Sequence, residues 1–406
     1  MSKKSAICLV VDRLHAGMIG SYGNAWIRTP HIDRLASESF VLDQAYIDSP
    51  EVESLYRSYW LGSHPLTAGA SSDQNSIISR LREKGIRPSL ITDERAIAEL
   101  PPAANFAERM LIQPIASESL ADSIEQTQMA QLFSAAADWL TTARQPFLLW
   151  LHARAMAGPW DAPLELRQQY VEEDDPAPPE FTTPPREMLP EEDDPDHLLG
   201  INQAYAGQVS LLDACVGALV EALRSSPSVA DTLLIFLSAR GFPLGEHRRV
   251  GPVDNALYNE LTQVPFMVRL PDGHGALARS QALVQPGAIA STLTDWWGLP
   301  VGPGPVSSQS LLPLLSGGGE TVRDRAYIVG SSHERGLRTP GWYARFSGPE
   351  PDAKMELFSK PSDRWDVNEV SARCGEVVAA MKQAQADIEQ AGQSGALPPV
   401  LLVEPD

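Results

Sequence analysis

The chain has few cysteines, few basic residues relative to acidic ones, and no long apolar run. Its three cysteines, Cys8, Cys215 and Cys374, match no metal-ligand or redox spacing, so we expect buried free thiols. Lys and Arg number 32 against 52 Asp and Glu, for a net charge of −20. Such a field repels phosphate backbones and anionic membrane surfaces, which argues against a nucleic-acid partner.

Two further absences bear on location. No segment reaches the roughly 18 uninterrupted apolar residues that a membrane span needs. The first residues, MSKKSAICLVVD, carry two lysines but too short an apolar run for a signal peptide, and no small-residue cleavage site follows. We therefore expect a cytoplasmic protein without membrane contact.

What is present is typical of a globular protein, with 43% hydrophobic and 21% charged residues. Short apolar runs predict buried strands at residues 5–11, 146–152, 232–238 and 264–270, and periodic patterns predict helices at 29–40, 130–142, 202–224 and 288–297. Their alternation predicts an α/β fold: a large mixed, mostly parallel sheet flanked by helices.

The predicted organisation has two parts. Residues 1–320 form a large α/β domain, in which the acidic, proline-rich segment 158–198 is a solvated loop insertion. Residues 321–406 form a small C-terminal α+β subdomain, with short strands of an antiparallel sheet and a closing helix at 376–392.

Seven segments, in order along the chain, carry a family resemblance. They are VVDRLHAGMIGSYGNAWIRTPHIDRLA (10–36), SPEVESLYRSYWLGSHP (49–65), PFLLWLHARAMAGPWDAP (146–163), YAGQVSLLDACVGALVEAL (205–223), TLLIFLSARGFPLGEH (232–247), LYNELTQVPFMVRLP (257–271) and MELFSKPSDRWDVNEV (355–370). Together they resemble the sulfatases of the alkaline-phosphatase-like superfamily over almost the whole chain. The resemblance implies sulfate-ester hydrolysis by a formylglycine nucleophile, made from Cys or Ser, with Ca²⁺ or Mg²⁺.

The nucleophile of that chemistry is missing from the matching segment. Aligning Pro50 and Gly62 with their family counterparts puts Val52 at the formylglycine position, and valine has no group that can be oxidised to an aldehyde. The motif's proline becomes Ser54 and its arginine becomes Tyr56, although Arg57 stands one place away. We therefore predict no catalytic residue at this position.

The metal ligands implied by the resemblance are also largely replaced. Asp12 remains, but Arg13 replaces the aspartate that the family has beside it. Ala239 and Arg240 replace the family's two ligands after the strand at 232–238. A +2 ion about 4 Å from an arginine is opposed by roughly 8 kcal/mol at an effective dielectric of 20. We predict no metal cofactor, and expect a guanidinium, that of Arg240 rather than Arg13, to pair with Asp12.

Other family positions are changed or ambiguous. The histidine expected before Gly158 is Ala157, and the lysine expected after His247 is absent from RRVGPVDNA. His64 and His247 fall near the mouth of the predicted pocket, and are either ligand-binding histidines or surface or helix-end histidines. His152 is expected in the core.

These losses favour a non-catalytic sulfatase homologue, a pseudo-sulfatase. It could bind a small anion (sulfate, phosphate or carboxylate) or a protein partner, either a second copy or an active paralogue; the third reading is a purely structural subunit. The anion would meet a set of arginines: Arg13, Arg57, Arg240, Arg248 and Arg249. The alternative is a sulfuric or phosphoric ester hydrolase with a displaced nucleophile or a new acid/base pair, for which the candidates are Ser49, Ser54, Ser58, Glu51 and Glu53.

Overall fold

The computed structural model describes residues 4–70, 75–113, 118–226, 231–300, 308–318, 322–331, 333–349 and 353–393. Contacts divide the chain into two compact units that alternate along the sequence. The first comprises residues 1–43, 81–253 and 264–279, and the second comprises 44–80, 254–263 and 280–406. The predicted boundary between residues 320 and 321 lies outside the described residues.

The strands are β1 (Ser5–Val11), β2 (Phe40–Ala45), β3 (Arg87–Thr92), β4 (Glu108–Leu111), β5 (Phe147–Ala153), β6 (Glu187–Met188), β7 (Thr232–Ser238), β8 (Arg249–Val250), β9 (Phe266–Arg269), β10 (Arg279–Val284), β11 (Ala326–Val329), β12 (Arg335–Arg338), β13 (Trp342–Ser347) and β14 (Lys354–Ser359). The α-helices are α1 (Pro30–Ser37), α2 (Val52–Leu61), α3 (Ile77–Glu83), α4 (Arg95–Ala98), α5 (Gln128–Thr142), α6 (Leu164–Gln168), α7 (Pro195–Ser225), α8 (Asn259–Thr262), α9 (Gly287–Trp296), α10 (Leu312–Leu315) and α11 (Gly375–Gln393).

The large sheet has the strand order β10-β2-β9-β7-β1-β5-β3-β4. Strands β7, β1, β5, β3 and β4 run parallel, whereas β9 pairs antiparallel with β7 and β2 antiparallel with β9. Every residue of β1, β5 and β7 is buried, as expected for central strands covered on both faces. The predicted mixed, mostly parallel sheet flanked by helices is confirmed.

β1 is the central element for the candidate site. Its register places Cys8 beside Trp150 of β5 and Ile235 of β7. Since parallel strands end at the same edge of the sheet, the residues that follow β1, β5 and β7 come together there. Cys8 and Cys215 are buried free thiols, as expected, and Cys374 is a half-buried one.

Helix α7 lies along the first unit and begins earlier than predicted. It starts at Pro195 rather than 202, because the side chain of Asp194 accepts a hydrogen bond from the Asp196 N–H and proline suits the first helical turn. It takes the last residues of the predicted loop 158–198, which also contains α6 and β6. Among the described helices, α7 has the length and apolar character of a membrane span, but 67% of that window is buried in the protein, as in a core helix.

The second unit contains a four-stranded antiparallel sheet in the order β11-β12-β13-β14. One face packs against α11 through a core that includes Leu337, Phe346, Leu357 and Ile388. The small antiparallel sheet and closing helix match the prediction, although β12 was not predicted. Helix α2 ends at Gly62, whose φ of 68° closes the helix in the left-handed region.

Candidate functional site

Asp12 follows the last residue of β1, at the carboxyl edge of the large sheet. Its backbone N–H donates to Ala153 O, at 2.9 Å, and its own carbonyl accepts from Met156 N, at 3.1 Å. On the other side, Ala239 N donates to Val11 O, at 2.7 Å. The side chain of Asp12 therefore lies between the ends of β5 and β7, and the residue is only 5% exposed.

Arg240 occupies both oxygens of the Asp12 carboxylate. Arg240 Nε donates to Asp12 Oδ1 at 3.0 Å, and Arg240 Nη2 donates to Asp12 Oδ2. Burial by itself would raise the pKa of Asp12, but Arg240, with smaller contributions from Arg13 and His152, holds that pKa below its ordinary value. The predicted pairing of Asp12 with Arg240 rather than Arg13 is confirmed.

The residues after Asp12 are also held to the end of β7 and to the segment that follows it. Arg13 Nη1 makes a long hydrogen bond to Gly241 O, at 3.5 Å, and Leu14 N donates to Ser238 Oγ, at 3.0 Å. His15 Nε2 lies 3.2 Å from Glu246 Oε1. Burial would raise the pKa of Glu246, but the contact with His15 and the Leu244 N–H keep it below the usual range.

The backbone at Arg13 is in the left-handed region, with φ of 65°, which is costly for an arginine. Tyr205 of α7 holds this turn from the protein interior. Its hydroxyl donates to Arg13 O and accepts from His15 N, each at 2.8 Å. Since Tyr205 is fully buried, both contacts are shielded from water.

These residues do not fit a divalent cation. Ca²⁺ needs six or more oxygen ligands and Mg²⁺ needs nearly octahedral oxygens, whereas Asp12 is flanked here by Arg13, Arg240 and Ala239. Within the described ranges, no cluster of three or more His, Cys, Asp or Glu side chains has a metal-binding arrangement. A metal at Asp12 would have to displace a guanidinium that already meets both carboxylate oxygens.

Three other predicted site residues are His152, Ala157 and His247. His152, in β5, is 1% exposed, and burial lowers its pKa to about 4, so the imidazole is neutral at pH 7. Ala157 ends a short 3₁₀ turn next to Met156, and its carbonyl accepts from Arg154 Nη2. His247 is half-buried with φ of 51°, and its carbonyl accepts from Arg249 Nη1.

Val52, Arg57 and His64 belong to the second unit. Val52 begins α2 and is half-buried, as is Arg57. His64 is 2% exposed: its Nδ1 accepts from Leu66 N and its Nε2 donates to Tyr327 O, at 2.9 Å. Burial lowers the pKa of His64 to about 4, so it serves as a neutral structural histidine.

The hydroxyls and carboxylates proposed as substitute catalytic groups lie around α2. Ser58 is fully buried and donates to Ser63 O, at 2.7 Å, while Ser49 Oγ accepts from Glu51 N. Glu51 is the residue before α2, and Glu53 lies in its first turn. Both glutamates are exposed.

Sequence reasoning missed two groups of residues. Tyr205, Ser238 and Glu246 lie within segments that carry the family resemblance, so those segments offered a signal for them. Asp48 is different: it is 1% exposed, and burial raises its pKa to about 7 against the opposing effects of Ser58 and Arg323. A single aspartate before Ser49-Pro50 reads as part of a turn, so nothing in the sequence marked it as buried.

Comparison with solved structures identifies the class of fold. A phosphonate monoester hydrolase of Agrobacterium radiobacter aligns with a TM-score of 0.75 at 16% identity, covering 94% of each chain. An enzyme solved with its substrate D-glucosamine-2-N,6-O-disulfate also aligns with a TM-score of 0.75, at 17% identity, covering 96% of this chain and 97% of that one. The fold is that of the alkaline-phosphatase-like superfamily.

Sequence comparison identifies the family. The family model described as Sulfatase matches residues 4–299, and the chain belongs to the sulfatase family. It is 31% identical over 180 residues to an N-acetylglucosamine-6-O-sulfatase of Bacteroides thetaiotaomicron, covering 41% of this chain and 30% of that protein. It is 23% identical over 334 residues to iduronate 2-sulfatase of Homo sapiens, covering 66% and 60%. The chain thus spans less than two thirds of the length of these relatives.

Proposed function

We propose that this protein is a non-catalytic member of the sulfatase family. The observation that carries the proposal is the bidentate contact of Arg240 with Asp12. Asp12 is the one metal ligand that the family resemblance retains, and both of its oxygens are engaged by an internal cation. Metal activation of an ester oxygen therefore lacks a ligand set.

The start of α2 supports the same proposal. A helix N-terminus favours an anionic ester group, but Val52 offers only an alkyl side chain there. The displaced-nucleophile alternative draws little support from Ser49 and Ser58, because both are buried: Ser49 Oγ accepts from a backbone N–H, and Ser58 contacts Ser63 O and the Asp48 side chain. The exposed Glu51 and Glu53 likewise lack the buried environment that tunes a catalytic acid.

The retained role is binding, and a small anion is the ligand that the local charges favour. Two guanidinium groups, those of Arg240 and Arg13, act on the single carboxylate of Asp12, whereas His152 is neutral at pH 7. Sulfate, phosphate or a carboxylate would balance that excess, and a protein partner such as a second copy or an active paralogue is the other candidate. We also propose a cytoplasmic location.

An activity assay with a binding readout tests this function. The purified protein is incubated with aryl sulfate, aryl phosphate and an aryl phosphonate monoester, with Ca²⁺, Mg²⁺ or Mn²⁺ and with chelator. We expect no turnover above the uncatalysed rate, and a higher melting temperature in sulfate than in chloride of equal ionic strength.

Each readout can fail separately. Metal-dependent turnover that a chelator abolishes would refute the non-catalytic proposal. Equal melting temperatures in sulfate, phosphate and chloride would exclude a small anion as the ligand and leave a protein partner as the candidate.

A further inference from the structure

Four consecutive residues after β1 each contact the last residue of β7 or the segment that follows it. The pairs are Asp12 with Arg240, Arg13 with Gly241, Leu14 with Ser238, and His15 with Glu246. We call this set the β1–β7 lock. All of its members belong to the first unit, so the set is complete within one compact body.

The lock contains one ion pair, Asp12 with Arg240, and one histidine–carboxylate contact, His15 with Glu246, in a largely buried setting. Asp12, Arg13 and Ser238 are each at most 5% exposed, and the side chains of Arg240 and Glu246 are 12% and 26% exposed. A buried carboxylate needs a partner of opposite charge, because ionised groups are costly to remove from water. Arg240 supplies that charge from within the chain, in the planar two-point geometry that suits a guanidinium.

We infer that the β1–β7 lock takes the place of the divalent cation that the family resemblance implies, and joins the ends of β1 and β7 without a metal. The residues that do not fit Ca²⁺ or Mg²⁺ are those that build the lock. The inference deepens the proposed function and rests on it in one respect: a catalytic metal at Asp12 would contradict both.

The first measurement is thermal unfolding of the full chain in Ca²⁺, Mg²⁺, Mn²⁺ and EDTA, at equal ionic strength. We expect the same melting temperature in all four, because Arg240 already occupies the carboxylate that a metal would need. A rise with a divalent ion, reversed by EDTA, would overturn the inference, because ligands that bind the folded state stabilise it.

The second measurement compares Arg240→Met with the double variant Asp12→Asn, Arg240→Met. Removing the guanidinium alone leaves a buried, unpaired Asp12, and we expect the folding equilibrium constant to fall by about 10²–10³-fold. Neutralising both partners should restore most of that loss. The matched control is Arg87→Met, which breaks the exposed pair of Arg87 with Glu108 and should change little.

The outcomes separate this inference from the proposed function. If Arg240→Met lowers the folding equilibrium constant no more than Arg87→Met does, the lock does not hold the strand ends. The same follows if the double variant is as unstable as Arg240→Met. Ca²⁺ binding without turnover would sink the lock and leave the non-catalytic proposal standing. Turnover without a metal would refute the non-catalytic proposal and leave the lock standing.

Discussion

Asp48 lies next to Ser58 and Arg323 in the second unit, and burial raises its pKa to about 7. The folded protein thus keeps a proton on Asp48 between about pH 4 and 7, where the unfolded chain releases it. Stability is greatest below the unfolded pKa and falls as the pH rises through this window. Above pH 7 a buried charge is left in place.

Asp48→Asn should remove this loss. We expect the variant to be about 2 kcal/mol more stable than the parent at pH 8, with the difference shrinking as the pH falls toward 4. Urea unfolding at pH 5 and pH 8 measures it. Glu53→Gln, an exposed acid on the adjoining helix, is the control, and a pH-independent difference for Asp48→Asn would contradict the assignment.

At the scale of elements, α1 is held by a carboxylate from α7. Thr29, the residue before α1, gives no side-chain hydrogen bond to the helix. Asp213 Oδ1 accepts instead from His31 N at 3.0 Å and from Ile32 N at 2.8 Å. A residue distant in sequence therefore does what an N-cap usually does.

Asp213→Ala should lower the free energy of unfolding by about 2 kcal/mol, because two helix N–H groups lose a charged acceptor. Asp213→Asn retains one oxygen acceptor and should recover part of that loss. Chemical denaturation of the three proteins gives the values. If alanine and asparagine were equally destabilising, packing rather than capping would explain the contact.

The predictability of each strand followed how apolar and uninterrupted its sequence is. β1 and β7 were predicted with the bounds found, because each is an unbroken apolar run. β2, β3, β4 and β10 were missed: β4 and β10 are edge strands that mix polar and apolar residues, and the inner strands β2 and β3 are also interrupted by polar residues or proline. The pair of Asp12 with Arg240 was predictable from charge balance at family positions, whereas the burial of Asp48 depends on tertiary packing that no local pattern shows.

At the scale of the whole molecule, the net charge of −20 makes polyanions poor partners. We expect no saturable binding to duplex DNA or heparin at low salt, where electrostatic attraction is strongest. Fluorescence anisotropy with a labelled duplex, and with labelled heparin, measures this. Saturable binding that weakens with salt would reveal a local basic surface strong enough to outweigh the overall charge.

The path of the main chain at Arg13 is held by contacts to backbone groups and does not depend on the side chain at that position. The Tyr205 hydroxyl donates to the carbonyl of residue 13 and accepts from the N–H of residue 15. Every amino acid has that carbonyl, and every one except proline has that N–H. The chain can therefore leave β1 along the same route whether residue 13 carries an acid or a base. An exchange of aspartate for arginine beside Asp12 would reverse the local charge without requiring the protein to refold around it.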